Sequence, residues 1–177
     1  APDELDRDPW LLNVLNGTID LRTGMLHSHD PADLMTRVAP VDYDPEAQAP
    51  LWLAFLDRVM GGDQELVSYL QRCVGYSLSG MTTEQVLLFL WGLGANGKST
   101  FVNAILDMMG PYAKQADPQL LLARNGDVHP TNMADLAGSR MVVCSEVDEG
   151  RPLAEAIVKQ LTGGDRVTAR FLYADFF

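Results

Sequence analysis

Eight residues, Gly92-Leu-Gly-Ala-Asn-Gly-Lys-Ser99, constrain this chain more than any others. They follow the continuously apolar run Val86-Leu-Leu-Phe-Leu-Trp91, which reads as a central strand covered on both faces. They precede Phe101, Val102, Ile105, Leu106 and Met109, whose spacing marks one face of a helix stopped by Gly110-Pro111. The order is strand, glycine-rich turn, helix, and the turn matches G-x-x-x-x-G-K-[ST] without a gap. Glycines open backbone conformations closed to other residues, so successive N–H groups can wrap phosphates at a helix N-terminus. Lys98 then supplies a point charge for β- and γ-phosphates, and Ser99 a hydroxyl for a bridging Mg²⁺. ATP and Mg²⁺ are the expected ligands. The expected binding residues are Gly92, Gly94, Ala95, Asn96, Gly97, Lys98, Ser99 and Thr100.

Such a loop needs an acid on a neighbouring strand to hold the metal and orient the attacking water. Met141-Val-Val-Cys-Ser145-Glu146 offers one, with Glu146 just past an apolar strand and Asp148 and Glu149 as weaker choices. Lys98 and Glu146 are the expected catalytic pair, and Ser99 and Glu146 the expected metal ligands.

The rest of the chain divides near residue 82. Asn16-Gly17, between Val14-Leu15 and the alternating Ile19 and Leu21, signals a two-residue hairpin. A second turn follows at Arg22-Thr23-Gly24. Leu51, Trp52, Phe55, Leu56, Val59 and Met60 recur at helical spacing until Gly61-Gly62. Asp63 can cap a second helix carrying Leu66, Val67, Leu70, Cys73, Val74 and Leu78, so residues 1–82 read as a β-hairpin plus an αα-hairpin. Residues 83–177 alternate strand and helix, which predicts an α/β unit with a mostly parallel sheet. There Pro118–Ala123 reads as helical, residues 125–130 as a loop, Pro152 as the start of a helix over Leu153, Ile157 and Leu161, and residues 166–173 as a strand.

Composition narrows the function classes. At 177 residues, 47% apolar, the chain can bury a core, and no apolar run approaches the ~20 residues that cross a bilayer. Ala1 to Trp10 is acidic, unlike a signal peptide, so the cytoplasm is the expected compartment. Cys73 and Cys144 are far apart, inside apolar segments, as reduced core thiols are. His27 and His29 form an H-x-H pair without a third ligand at a recognisable spacing. The net charge of −11 argues against a whole-surface nucleic-acid footprint, because phosphate backbones are held by Lys and Arg. Residues 151–177, with 4 basic and 3 acidic side chains, are the exception. Lys159, Arg166 and Arg170 are the candidate DNA contacts, although Lys159 could equally pair with Glu155 on the helix surface.

The order of motifs resembles the superfamily 3 helicase region of phage and plasmid primase-helicases, preceded by a module similar to the poxvirus-type NTPase N-terminal domain. The first part rests on Leu15-Asn-Gly-Thr-Ile-Asp-Leu21, Tyr43-Asp44 and Tyr69-Leu-Gln-Arg-Cys-Val-Gly75-Tyr76. The second rests on Gly94-Ala-Asn-Gly-Lys-Ser-Thr100, His129-Pro-Thr131, Arg140-Met-Val-Val-Cys-Ser-Glu146 and Lys159-Gln-Leu-Thr-Gly-Gly-Asp165 leading to Arg170. The resemblance implies an AAA+-like P-loop NTPase core, a hexameric ATP-driven motor on single-stranded DNA, a primase domain or primase partner, no membrane, and a bacterial host cytoplasm. It also implies a polar Asn and an arginine finger further along than Phe177. The sequence therefore reads as a piece of a longer protein, with slow hydrolysis expected of it alone. A small-molecule phosphotransferase and a non-catalytic nucleotide-dependent assembly module are the alternatives.

Overall fold

The computed structural model describes residues 4–123, 133–145 and 152–163. Three short strands, β1 (Leu11–Val14), β2 (Gly17–Asp20) and β3 (Met25–His27), form an antiparallel sheet in the order β1-β2-β3. The hairpin forms as its sequence signals, one residue earlier than expected. Val14 pairs with Gly17, so Leu15 and Asn16 make the turn. The Asn16 side chain fixes it, donating to the Tyr43 carbonyl at 2.9 Å and accepting from the Tyr43 N–H at 2.9 Å.

Two helices follow, α1 (Pro50–Val59) and α2 (Gln64–Ser79), as their apolar spacing requires. The Asp63 carboxylate accepts from the Leu66 N–H at 3.0 Å, capping α2. Helix α3 (Lys98–Met109) comes next and leads into β4 (Ala113–Ala116), which pairs in parallel with β5 (Met141–Cys144). Helix α4 (Glu155–Thr162) closes the described part. The protein is thus mixed α/β, with one small antiparallel and one small parallel sheet.

Three expectations need correction. The apolar run 86–91 joins neither sheet, and Phe89 and Trp91 are 69% and 90% exposed. Unbroken apolarity says that a segment favours neighbours on both faces. It does not put a hydrogen-bonding strand beside it, and among the described residues none pairs with this run. Pro152 does not open α4, because residues 152–154 pair instead with residues 121–123: Ala123 N–H donates to the Pro152 carbonyl at 2.9 Å and Ala154 N–H to Leu121 at 2.8 Å. For the same reason the helix expected over Pro118–Ala123 shrinks to a single 3-10 turn, Pro118–Leu121. The expected loop at 125–130 and strand at 166–173 lie outside the described residues.

One core runs across residue 82. Leu12, Val14 and Ile19 from the first sheet, Leu56 from α1 and Leu70 from α2 pack with Phe101, Ile105 and Met109 from α3. A smaller cluster of Leu120, Met133, Ala134 and Leu136 packs under Ile157 and Leu161 of α4. Cys73 and Cys144 are free thiols. Burial pushes the Cys144 thiol up, which keeps it protonated.

Two arginines tie the halves together from opposite sides. Arg140, at the root of β5, donates to the carbonyls of Leu78 at the end of α2 (2.6 Å), Leu11 in β1 (2.6 Å) and Pro9 (3.3 Å). Its guanidinium also lies 4.7 Å from the centre of the Tyr112 ring. Burial pulls that guanidinium below its ordinary value, with the Tyr112 phenol acting in the opposite direction. Arg37 reaches the other way, to the Ala137 carbonyl at 2.7 Å, the Pro111 carbonyl at 3.1 Å and the Gly138 carbonyl. Between them the buried Tyr112 hydroxyl donates to the Arg37 carbonyl at 2.8 Å and accepts from the Asn13 N–H at 3.3 Å.

Charge-assisted hydrogen bonds are worth about 1.5–3 kcal/mol each, and the acceptors here would be left without their donors. Arg140→Met keeps the apolar stem and removes the fork. It is expected to lower the unfolding free energy by about 3 kcal/mol or more in urea titration, with Arg140→Lys falling in between. A loss below about 1 kcal/mol for the Met variant would contradict this role.

Candidate functional site

The glycine-rich segment places Lys98 as the first residue of α3, as the motif requires. Gly97 caps that helix with φ +86°, and its carbonyl accepts from the Phe101 N–H at 2.9 Å. No side chain caps α3, and an uncapped helix N-terminus is the arrangement that suits an anion. Ala95 also adopts a left-handed conformation, with φ +59°. Alternating left-handed and helical residues turn successive amides toward one side of a loop.

Lys98 folds back over the loop. Its ammonium donates to the Gly92 carbonyl at 2.8 Å, the Asn96 Oδ1 at 2.9 Å and the Leu93 carbonyl at 3.4 Å. Ser99 and Thr100 are exposed in the first turn of α3. Gly92, Leu93 and Asn96 of the loop thus meet at the Lys98 ammonium, while Gly94, Ala95 and Gly97 complete the turn.

The loop leans on a partner that hydropathy spacing alone could not identify. A Cβ at Gly97 would lie 2.7 Å from Val59 Cγ1 and 3.1 Å from the Phe55 ring, both on α1. Trp52 of the same helix stacks between Phe55 (centroids 5.4 Å) and Phe101 of α3 (5.7 Å, planes 13° apart). The first helix is thus the floor of the loop. Trp52, Phe55 and Val59 were legible only as an apolar helix face.

Strand β5 ends at Cys144, two residues before Glu146. Ser145 accepts a hydrogen bond from the Gln115 amide on β4 at 2.9 Å. Glu146, Asp148, Glu149, Arg166 and Arg170 lie outside the described residues, as do Gly164, Asp165 and residues 129–131. Lys159 sits on α4 and pairs with Glu155 at 3.5 Å, both side chains more than three-quarters exposed. A pair so exposed adds little to stability and leaves the ammonium open to other anions. His29 is engaged elsewhere: its ring nitrogens meet Asn13 Oδ1 at 2.9 Å and the Leu15 carbonyl at 3.3 Å, bracing the hairpin.

Residues 1–61 match the family described as D5 N terminal like. The chain is 28% identical over 178 residues to a candidate helicase of Acanthamoeba polyphaga mimivirus, covering 97% of this chain and 18% of that protein. It is 24% identical over 238 residues to a candidate helicase of Frog virus 3 (isolate Goorha), covering 97% of this chain and 24% of that protein. The chain thus spans about a fifth to a quarter of the length of these relatives. The resemblance read from the motif order, to a superfamily 3 primase-helicase with a poxvirus-type NTPase N-terminal module, is borne out: the likenesses are to a D5-type N-terminal region and to helicases of large DNA viruses.

Gly97 is where backbone and packing demands coincide. Gly97→Ala meets both an unfavourable φ and the Val59 methyl, and is expected to cost about 2 kcal/mol in chemical denaturation. Adding Val59→Ala should recover only the steric part.

Proposed function

We infer that this chain is the nucleotide-binding region of a replicative DNA helicase of the primase-helicase type, binding ATP with Mg²⁺ at the loop that opens α3. The observation that carries the reading is the loop itself: Lys98 stands at the head of an uncapped helix, with its ammonium held by three loop acceptors. The D5-like N-terminal residues and the helicases among the relatives support the same assignment.

In this reading the chain's first role is to bind and orient. The α3 amides and the Lys98 ammonium meet the β- and γ-phosphates, and the Ser99 hydroxyl serves the metal. Mg²⁺ when bound neutralises charge developing on the phosphates. Glu146 is the acid proposed to orient the attacking water, and it lies two residues past the end of β5 in sequence. The complete protein would work as a P-loop NTPase of AAA+-like fold, a hexameric ring moving on single-stranded DNA with a primase domain or partner. Its setting would be the host cytoplasm during replication of a phage, plasmid or similar element. Lys159, Arg166 and Arg170 are the proposed DNA contacts.

The test is ligand-dependent stabilisation. ATP with Mg²⁺ should raise the melting temperature of the 177-residue chain, and Lys98→Ala should abolish the shift. In the full-length protein Glu146→Gln should retain binding while hydrolysis falls by at least 10²-fold. Hydrolysis stimulated by a small acceptor rather than by single-stranded DNA would favour a phosphotransferase. Charge reversal at Arg166 and Arg170 should reduce the salt dependence of DNA affinity.

A further inference from the structure

Asn96 does something in this loop that the phosphate-binding pattern does not require, since that position of the motif admits any residue. Its carboxamide spans the turn. Oδ1 accepts from the Lys98 ammonium at 2.9 Å, while Nδ2 lies against Gly92, in the space that a Cβ there would occupy. The backbone on both sides fixes that orientation, with Ala95 at φ +59° before it and Gly97 at φ +86° after it.

An ammonium has three protons to donate. On Lys98 they meet three acceptors, two of which are backbone carbonyls held by the loop. The Asn96 oxygen is the one side-chain acceptor among them, and so the one that can leave without moving the backbone. It is also neutral. A phosphate oxygen is charged, and charge-assisted bonds are shorter and roughly twice as strong. An incoming triphosphate can therefore take the place of Asn96 on Lys98, while the two carbonyls keep the ammonium in position.

We propose that Asn96 is a positioning residue, holding the Lys98 ammonium over the loop and yielding it to a phosphate oxygen when nucleotide arrives. This rests on the nucleotide-binding reading given above. A lysine on a four-carbon stem loses much conformational freedom when it is fixed, and Asn96 imposes part of that ordering before the ligand binds. The residue also sets a limit on what may occupy its place. A carboxylate there would hold Lys98 more tightly than an amide and would repel the phosphates.

Two measurements separate this proposal from the reading beneath it. The chain has three lysines, Lys98, Lys114 and Lys159, so amine labelling followed by mass spectrometry reports on Lys98 with two internal references. Without nucleotide, Asn96→Ala should raise Lys98 labelling by about threefold or more relative to Lys159, and Asn96→Asp should restore protection. With ATP and Mg²⁺, Asn96→Ala should bind about two- to fivefold more weakly than wild type, and Asn96→Asp at least tenfold more weakly than Asn96→Ala. The variant that shields Lys98 best would thus bind nucleotide worst, an inversion that simple damage to the loop would not give. Equal Lys98 labelling in wild type and Asn96→Ala, or wild-type ATP affinity in Asn96→Asp, would overturn the proposal. Absence of ATP binding in wild type with the labelling pattern intact would overturn the nucleotide reading and leave the Asn96 contact standing.

Discussion

Arg140 is the interaction on which the rest of this structure turns. A guanidinium costs free energy to bury, and here it is satisfied by three backbone carbonyls and an aromatic face with no carboxylate among them. The arrangement has a geometric logic. Helix α2 ends with carbonyls that lack intrahelical partners, and the Leu78 carbonyl at that end receives one arm of the fork. The Leu11 carbonyl, on the first strand, receives the other. Arg37 answers from the opposite direction by satisfying carbonyls in the turn 137–138, just ahead of Arg140 in the chain. Neither arginine could be replaced by a lysine without losing one of its anchor points, since a single ammonium cannot match a planar fork.

The glycine-rich loop inherits its shape from this frame. The core joins α1, α2 and α3, and the aromatic stack from Phe55 through Trp52 to Phe101 carries α3 on the first helix. A binding loop needs a rigid support, because displacements of an ångström are costly at binding sites. Here the support comes from the N-terminal half. The module that precedes the loop is thus part of the loop's construction.

Much of the local structure could be read directly. The Asn16 turn, the two helices, the Asp63 cap and the start of α3 at Lys98 all follow from short-range signals, and each forms within a residue or two of its expected place. What escaped is non-local. The run 86–91 is apolar enough for a buried strand, yet burial depends on neighbours that hydropathy does not specify. Residues 121–123 and 152–154 favour each other over extending their helices, a choice made by a backbone pairing about thirty residues apart in sequence. Arg140 stands in the sequence beside the apolar strand Met141–Cys144. Nothing in its surroundings along the chain marks Leu11 and Leu78 as its partners.

The span of the Arg140 contacts bears on how such a chain is made. Leu11 and Arg140 are separated by 129 positions. During synthesis the first hairpin leaves the ribosome long before the side chain that completes it has been added. Until then the hairpin, α1 and α2 must wait with unsatisfied carbonyls and apolar faces uncovered. Structures dominated by distant contacts acquire them late, and the interval exposes surfaces prone to aggregation. While those 129 residues are being added, the first hairpin and the two helices are open to misassociation.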